Sequence, residues 1–146
     1  MAEYRKGAHT VYDIKYHFVW VTKYRYPVLR GEIAERGRDI IRQVCMAREI
    51  TIVKGHVSRD QVHLCVAATP NLGPARIMQY VKGKSSRVLQ QEYPALRKRY
   101  WGQHIWARGY FCATSGTVTG EMIRAYIENQ SMPPDDGFKV DDEARA

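Results

Sequence analysis

The sequence predicts an α+β domain of the ferredoxin-like type. The expected order is β-α-β-β-α-β, an antiparallel sheet with its helices on one face, followed by one more helix. Three observations lead there. Two segments repeat their apolar residues with a helical period, and each lies between short strand-like segments. The second and third strand segments are separated only by the polar turn Ser58-Arg59-Asp60. Glycine and proline mark most of the remaining boundaries.

Val11 to Val21 opens the domain. Tyr12, Ile14, Tyr16, Phe18 and Trp20 recur every second residue, as in a strand with one buried face. Pro27 and Gly31 break regular structure after it. From Glu32 to Glu49, Ile33, Gly37, Ile40, Ile41, Val44 and Cys45 form one stripe, with Glu35, Arg36, Arg38, Asp39 and Arg42 outside it. Ile50 to Val57 is the second strand and Gln61 to Ala67 the third, and their short link predicts a hairpin. The loop Thr69 to Pro74 starts a second helix, since proline suits a first turn. Ile77, Met78, Val81, Val88 and Leu89 face inward along it as far as Glu92, and Tyr93-Pro94 ends it. His104 to Ser115 is expected to be the fourth strand. A last helix, capped by Thr117 or Thr119, is expected to run to Gln130 before Met132-Pro133-Pro134. Residues 1–130 thus read as one domain and 131–146 as an acidic, disordered tail.

The bulk composition narrows the partner. The chain of 146 residues carries a net charge of +8. The last sixteen residues hold five acids and two bases, a net of −3, which leaves +11 on residues 1–130. A small domain that basic suits a polyanion. The three cysteines, Cys45, Cys65 and Cys112, each sit in apolar segments without a C-x-x-C pair, and read as core residues in a reducing compartment. No apolar run nears the ~20 residues a membrane helix needs, and Met1 to Thr10 has no signal-peptide core. A cytoplasmic protein with no membrane partner is expected.

Two places invite chemistry. On the third strand, Gln61, His63 and Cys65 share one face, and Gln61 with His63 can offer two ligands to one metal ion. The alternative is a half-exposed strand histidine with no ligand role. On the last helix, Tyr126 and Gln130 are four apart and share a face with Met122, which fits either a core contact or a functional tyrosine. His17 reads as a sheet-face histidine satisfied by a neighbour. His56, near the hairpin that leads to Gln61, can substitute as a ligand if the geometry allows it.

Four segments resemble the IS200/IS605 family of transposases, within the His-hydrophobic-His nucleases. They are Trp20 to Leu29 (WVTKYRYPVL), Asp60 to Leu64 (DQVHL), Tyr100 to Phe111 (YWGQHIWARGYF) and Tyr126 to Gln130 (YIENQ). The resemblance spans roughly residues 9–130, with the segments in the family's order and spacing. It implies that Tyr126 is the catalytic tyrosine, that His63 is the second histidine of the metal pair, and that Gln130 is a further ligand. Gln61 stands where the family has its first histidine. Its amide oxygen suits a hard cation but is a poorer donor than imidazole for softer ones.

The implied activity is cleavage and rejoining of single-stranded DNA at hairpin-marked ends, through a 5′-phosphotyrosine and with Mg²⁺ or Mn²⁺. A homodimer is also implied. The departure at Gln61 leaves an alternative: a catalytically impaired relative that binds DNA hairpins. Expected DNA contacts are Arg76, Lys82, Lys84 and Arg87 on the second helix, with Arg97, Lys98, Arg99, Tyr100 and Trp101 beyond it.

Overall fold

The computed structural model describes residues 5–6, 11–114 and 138–140. The elements are β1 (Arg5–Lys6), β2 (Val11–Tyr12), β3 (Ile14–Val21), a 3₁₀ turn (Lys23–Arg25), α1 (Gly31–Ala47), β4 (Thr51–Ser58), β5 (Gln61–Ala68), α2 (Pro74–Glu92), α3 (Pro94–Arg99), β6 (Phe111–Thr114) and β7 (Phe138–Val140). The main sheet has the order β6-β3-β5-β4-β7. Its first four strands are antiparallel and in the ferredoxin-like arrangement. The helix that was expected to carry Tyr126 and Gln130 lies outside the described residues.

Strand alternation assigns the two faces. Phe18, Trp20, Val57, Val62, Leu64, Val66 and Ala68 point to the helices, where they meet Ala34, Ile40, Ile41, Val44, Ile77, Met78, Val81 and Leu89. A bulge between Ile52 and Lys54 corrects the phase of β4. Arg36 joins the helices by a two-pronged bond to Glu92, at 2.7 and 2.9 Å.

The hairpin turn at Arg59-Asp60 is held from outside. Thr22 N–H donates to the Asp60 carbonyl at 2.9 Å, Arg25 Nε donates to its carboxylate at 2.9 Å, and Leu29 N–H donates to the Arg59 carbonyl at 2.9 Å. These bonds fix where β5 begins, and so where Gln61 and His63 stand.

Three expectations need correction, and one short helix stands where no element was expected. The first strand is interrupted at Asp13, a poor strand residue, and its first part pairs with β1 in a separate two-stranded sheet. The run Arg97-Lys98-Arg99 belongs to a short helix, α3, anchored by buried Leu96; Pro94 ends one helix and starts the next. Among the described residues the fourth strand is Phe111–Thr114, so it starts at Phe111 rather than at His104. Left-handed backbone at Trp101 (φ 52°), Gly102 (73°) and Gly109 (79°) bends the preceding stretch, which α2 then pins down. Trp106 Nε1 donates to Ser85 Oγ at 3.0 Å, Ile105 N–H to Ser86 Oγ at 3.2 Å, and Lys82 Nζ to the carbonyls of Ala107 and Gly109 at 2.9 and 3.0 Å.

The third correction concerns the acidic tail. Phe138–Val140 pairs parallel to β4. Phe138 and Val140 are buried in the core, the Phe138 ring covers Gly55, and Arg42 donates to the Phe138 carbonyl at 3.3 Å. Two apolar side chains and an open sheet edge outweigh the surrounding charge.

Candidate active site and nucleic-acid groove

The sheet face turned away from α1 and α2 carries the candidate metal ligands. Gln61 and His63 share this face with Cys65 on β5, as the alternation predicts. Cross-strand register adds neighbours that the sequence could not place. His56 is directly opposite His63, Ser58 is opposite Gln61, and His17 on β3 is opposite Cys65. Gln61 is buried, at 2% exposure, as are His56, Ser58 and Cys65. The rings of His17 and His63 lie 6.2 Å apart, and His17 Nε2 is 3.8 Å from Cys65 Sγ.

Burial sets the state of these histidines. It pushes the His63 imidazole down to about 4, helped by the nearby His17, Lys54 and His56. His17 is lowered by burial and then by Lys54. Both rings are therefore neutral near pH 7, the form that ligates metals. His63 Nε2 is buried and has no hydrogen-bond partner among the described residues. A buried lone pair or N–H left unmatched is costly, and such sites often mark an absent ligand. Among the described residues, no three His, Cys, Asp or Glu side chains gather to hold a metal. A full ligand set therefore needs Gln61 or residues outside those described, where both Tyr126 and Gln130 lie.

The expected DNA contacts divide into three groups. Arg76, Lys84, Arg87, Arg97, Lys98 and Arg99 are exposed, and Trp101 is 75% exposed. Tyr100 is not a stacking platform. It is 1% exposed, packs on Tyr26, and donates its hydroxyl to the Lys23 carbonyl at 3.2 Å. Lys82 is a clasp for the 107–109 backbone, half-buried, with its ammonium lowered by desolvation.

Two adjoining concavities, of about 550 and 330 Å³, run between α2 and the segment after α3. Their walls include Arg87, Arg97, His104, Arg108 and Tyr110, and among the described residues no acidic one lines either. Arg108, His104 and Tyr110 were missed by sequence reasoning, because a strand reading of 104–115 gave no reason to turn them toward α2. Tyr24 was missed as well. It is 59% exposed in a left-handed conformation (φ 63°), beside Lys23 and Tyr26.

The family model described as "Transposase IS200 like" matches residues 10–130. The chain belongs to this family. It is 35% identical over 128 residues to the ISDra2 transposase TnpA of Deinococcus radiodurans, covering 88% of this chain and 91% of that protein. It is 32% identical over 130 residues to the transposase of insertion sequence element IS200 from Salmonella typhimurium, covering 89% and 85%. A crystal structure of a putative transposase from Deinococcus radiodurans superposes with a TM-score of 0.76 at 36% identity, over 86% of this chain and 97% of that one. A REP-associated tyrosine transposase bound to a REP hairpin superposes with a TM-score of 0.54 at 14% identity, over 87% of this chain and 68% of that one, a likeness of fold alone.

As an IS200-like transposase the chain falls in a class of DNA-cleaving enzymes. The family match contains all three strands of the histidine face, the groove, Tyr126 and Gln130. No helix among the described residues is long and apolar enough to cross a membrane.

Proposed function

We propose that this chain cleaves and rejoins single-stranded DNA at hairpin-marked ends, with Tyr126 as nucleophile and a divalent ion, Mg²⁺ or Mn²⁺, held by His63, Gln61 and Gln130. The observation that carries the reading is the unmatched, buried Nε2 of a neutral His63, beside buried Gln61 on the sheet face of an IS200-like fold.

The Tyr126 oxygen attacks the scissile phosphorus and its proton is lost. The bond from phosphorus to the 3′ oxygen breaks, and that oxygen leaves as a hydroxyl after taking up a proton. The DNA 5′ phosphate is then esterified to Tyr126. A 3′ hydroxyl attacking this phosphotyrosine reverses the exchange and frees the tyrosine, so strands rejoin without an energy cofactor. When bound, the ion supplies charge stabilisation at the phosphate oxygens. The protein's part is to hold neutral His63 and the buried Gln61 amide side by side on a rigid strand. The DNA backbone is assigned to the acid-free groove through Arg87, Arg97 and Arg108. Trp101 offers a face for an unpaired base, and the active assembly is a homodimer.

A second reading has its own support in Gln61, a weaker ligand than imidazole: a hairpin-binding relative impaired in cleavage. The deciding experiment is a gel assay for a covalent protein–DNA adduct with labelled hairpin DNA from the gene's flanks, with Mn²⁺ or Mg²⁺. An adduct that disappears in Tyr126→Phe and in EDTA is the expected result. Hairpin binding without any adduct, with an adduct appearing in Gln61→His, establishes the second reading. Cleavage at full rate in EDTA refutes the metal assignment.

A further inference from the structure

We propose that His56 is a ligand of the divalent ion, so that this chain grips its metal with one imidazole from each of two paired strands, His56 of β4 and His63 of β5. The inference rests on the metal reading of the His63 site above.

The argument begins from register. His56 and His63 are directly opposed in the β4–β5 ladder. Directly opposed residues project to the same face of a sheet, with Cβ atoms roughly 4.5–5.5 Å apart. At that spacing two imidazoles can turn toward one ion, each contributing a nitrogen at about 2.0–2.2 Å. Gln61, next on that face along β5, is opposed by Ser58 rather than by a further histidine. The imidazole that a His-x-His strand would supply at residue 61 therefore has a replacement one rung away, across the ladder.

The surroundings agree. His56 is buried at 6% exposure, Gln61 at 2% and Ser58 at 2%, so the face is a desolvated one in which a polar side chain must be satisfied. Nε2 of His63 has no hydrogen-bond partner among the described residues. His17 is left out of the set because it opposes Cys65 rather than His63 in the β3–β5 ladder, with its Nε2 3.8 Å from Cys65 Sγ. The hairpin holds the pair in place, because the two-residue turn between Ser58 and Gln61 is bonded from Thr22, Arg25 and Leu29. Two imidazoles with one amide oxygen favour Mn²⁺, Co²⁺ or Zn²⁺ over Mg²⁺, which prefers oxygen donors and its own waters.

The test is metal binding by the full chain, read without DNA. Calorimetry with Co²⁺ and Mn²⁺, and the visible absorption of the Co²⁺ form, are compared in the unaltered protein, His56→Ala, His63→Ala and Gln61→His/His56→Ala. We expect His63→Ala to abolish binding and His56→Ala to weaken it at least tenfold. Gln61→His should restore affinity in the His56→Ala background, a rescue that a merely structural role for His56 would not give. In the unaltered protein, Zn²⁺ should shift the imidazole NMR resonances of both His56 and His63. Binding by His56→Ala at full strength, an unmoved His56 resonance, or a loss that Gln61→His fails to rescue overturns the role of His56 while leaving the His63 site standing. If the unaltered chain binds no ion, or His63→Ala binds as well as it does, the metal reading itself fails and this inference with it.

Discussion

The contact between Gly55 and Phe138 offers a quantitative test of how the sheet edge is closed. A Cβ built on Gly55 would lie 2.6, 2.8 and 3.0 Å from three atoms of the Phe138 ring, well inside contact distance. Gly55→Ala should therefore displace the ring or the strand and cost about 1–3 kcal/mol, as overpacking does. Phe138→Ala removes a buried ring and should cost about 2–4 kcal/mol, toward the lower part of the range for core phenylalanines because β7 is a three-residue edge strand. The informative measurement is the double variant. With the ring gone, alanine at 55 meets open space and replaces a residue that weakens strands, so Gly55→Ala should become neutral or stabilising by about 0.5–1 kcal/mol. The cycle predicts a coupling energy of about 2 kcal/mol, read from urea unfolding as midpoint shifts at constant slope. If Gly55→Ala costs the same in both backgrounds, or Phe138→Ala changes stability by less than about 0.5 kcal/mol, the packing of β7 on β4 is not what closes this edge.

Other outcomes follow from single contacts. Ser85→Ala leaves buried Trp106 Nε1 without its acceptor and should cost about 1–3 kcal/mol in thermal or urea unfolding. Burial pushes the Tyr100 phenol up to about 12, so the folded state binds its proton more tightly than the unfolded chain does. Its contribution to stability is complete below about pH 10 and is lost as pH rises toward 12; in Tyr100→Phe that alkaline component should vanish from the pH–stability curve. Burial also raises the Cys45 thiol to about 12. Native protein at pH 8 should therefore alkylate at Cys112 well before Cys45, as mass spectrometry of digests can show. Arg87→Ala, Arg97→Ala and Arg108→Ala should each lower the salt dependence of hairpin binding by about one in the log–log slope; an unchanged slope in all three would remove the groove from the DNA path.

How much of this was legible in the residues depended on the range of the signal. The amphipathic stripe of α1, the Pro74 start of α2 and the alternation of β5 are local periodicities, and they placed Gln61 and His63 on a shared face. The link of Ser58 to Asp60 was short enough to imply a hairpin. Register was beyond reach, because nothing local in VKGHVS says that His56 opposes His63 rather than its neighbour. The 104–110 stretch misled for a similar reason: its aromatic residues suit a strand, but Trp106 is held by Ser85 on another element. Tyr100 looked like a stacking platform because it borders a charge run, and only tertiary contact shows it buried on Tyr26. β7 was hidden because two apolar residues among acids give too short a pattern to outweigh composition.

The placement of chemistry on β5 also constrains how this family member can fold. Val62, Leu64 and Val66 anchor the core, while Gln61, His63 and Cys65 occupy the opposite face of the same strand. A register slip of one residue would put histidine into the helix-facing core and valine onto the opposite face, so hydrophobic burial itself enforces the placement of the proposed ligands. The bonds from Thr22, Arg25 and Leu29 to the Arg59-Asp60 turn then stop the slip at its origin. Asp60→Ala loosens that lock by removing the half-exposed Arg25 ion pair alone, since the Thr22 and Leu29 bonds reach backbone carbonyls and remain. Stability should fall by about 1 kcal/mol or less, while metal affinity at His63 should fall by a larger factor than that loss alone accounts for. Equal losses in the two measurements would show that the site takes its order from the core alone.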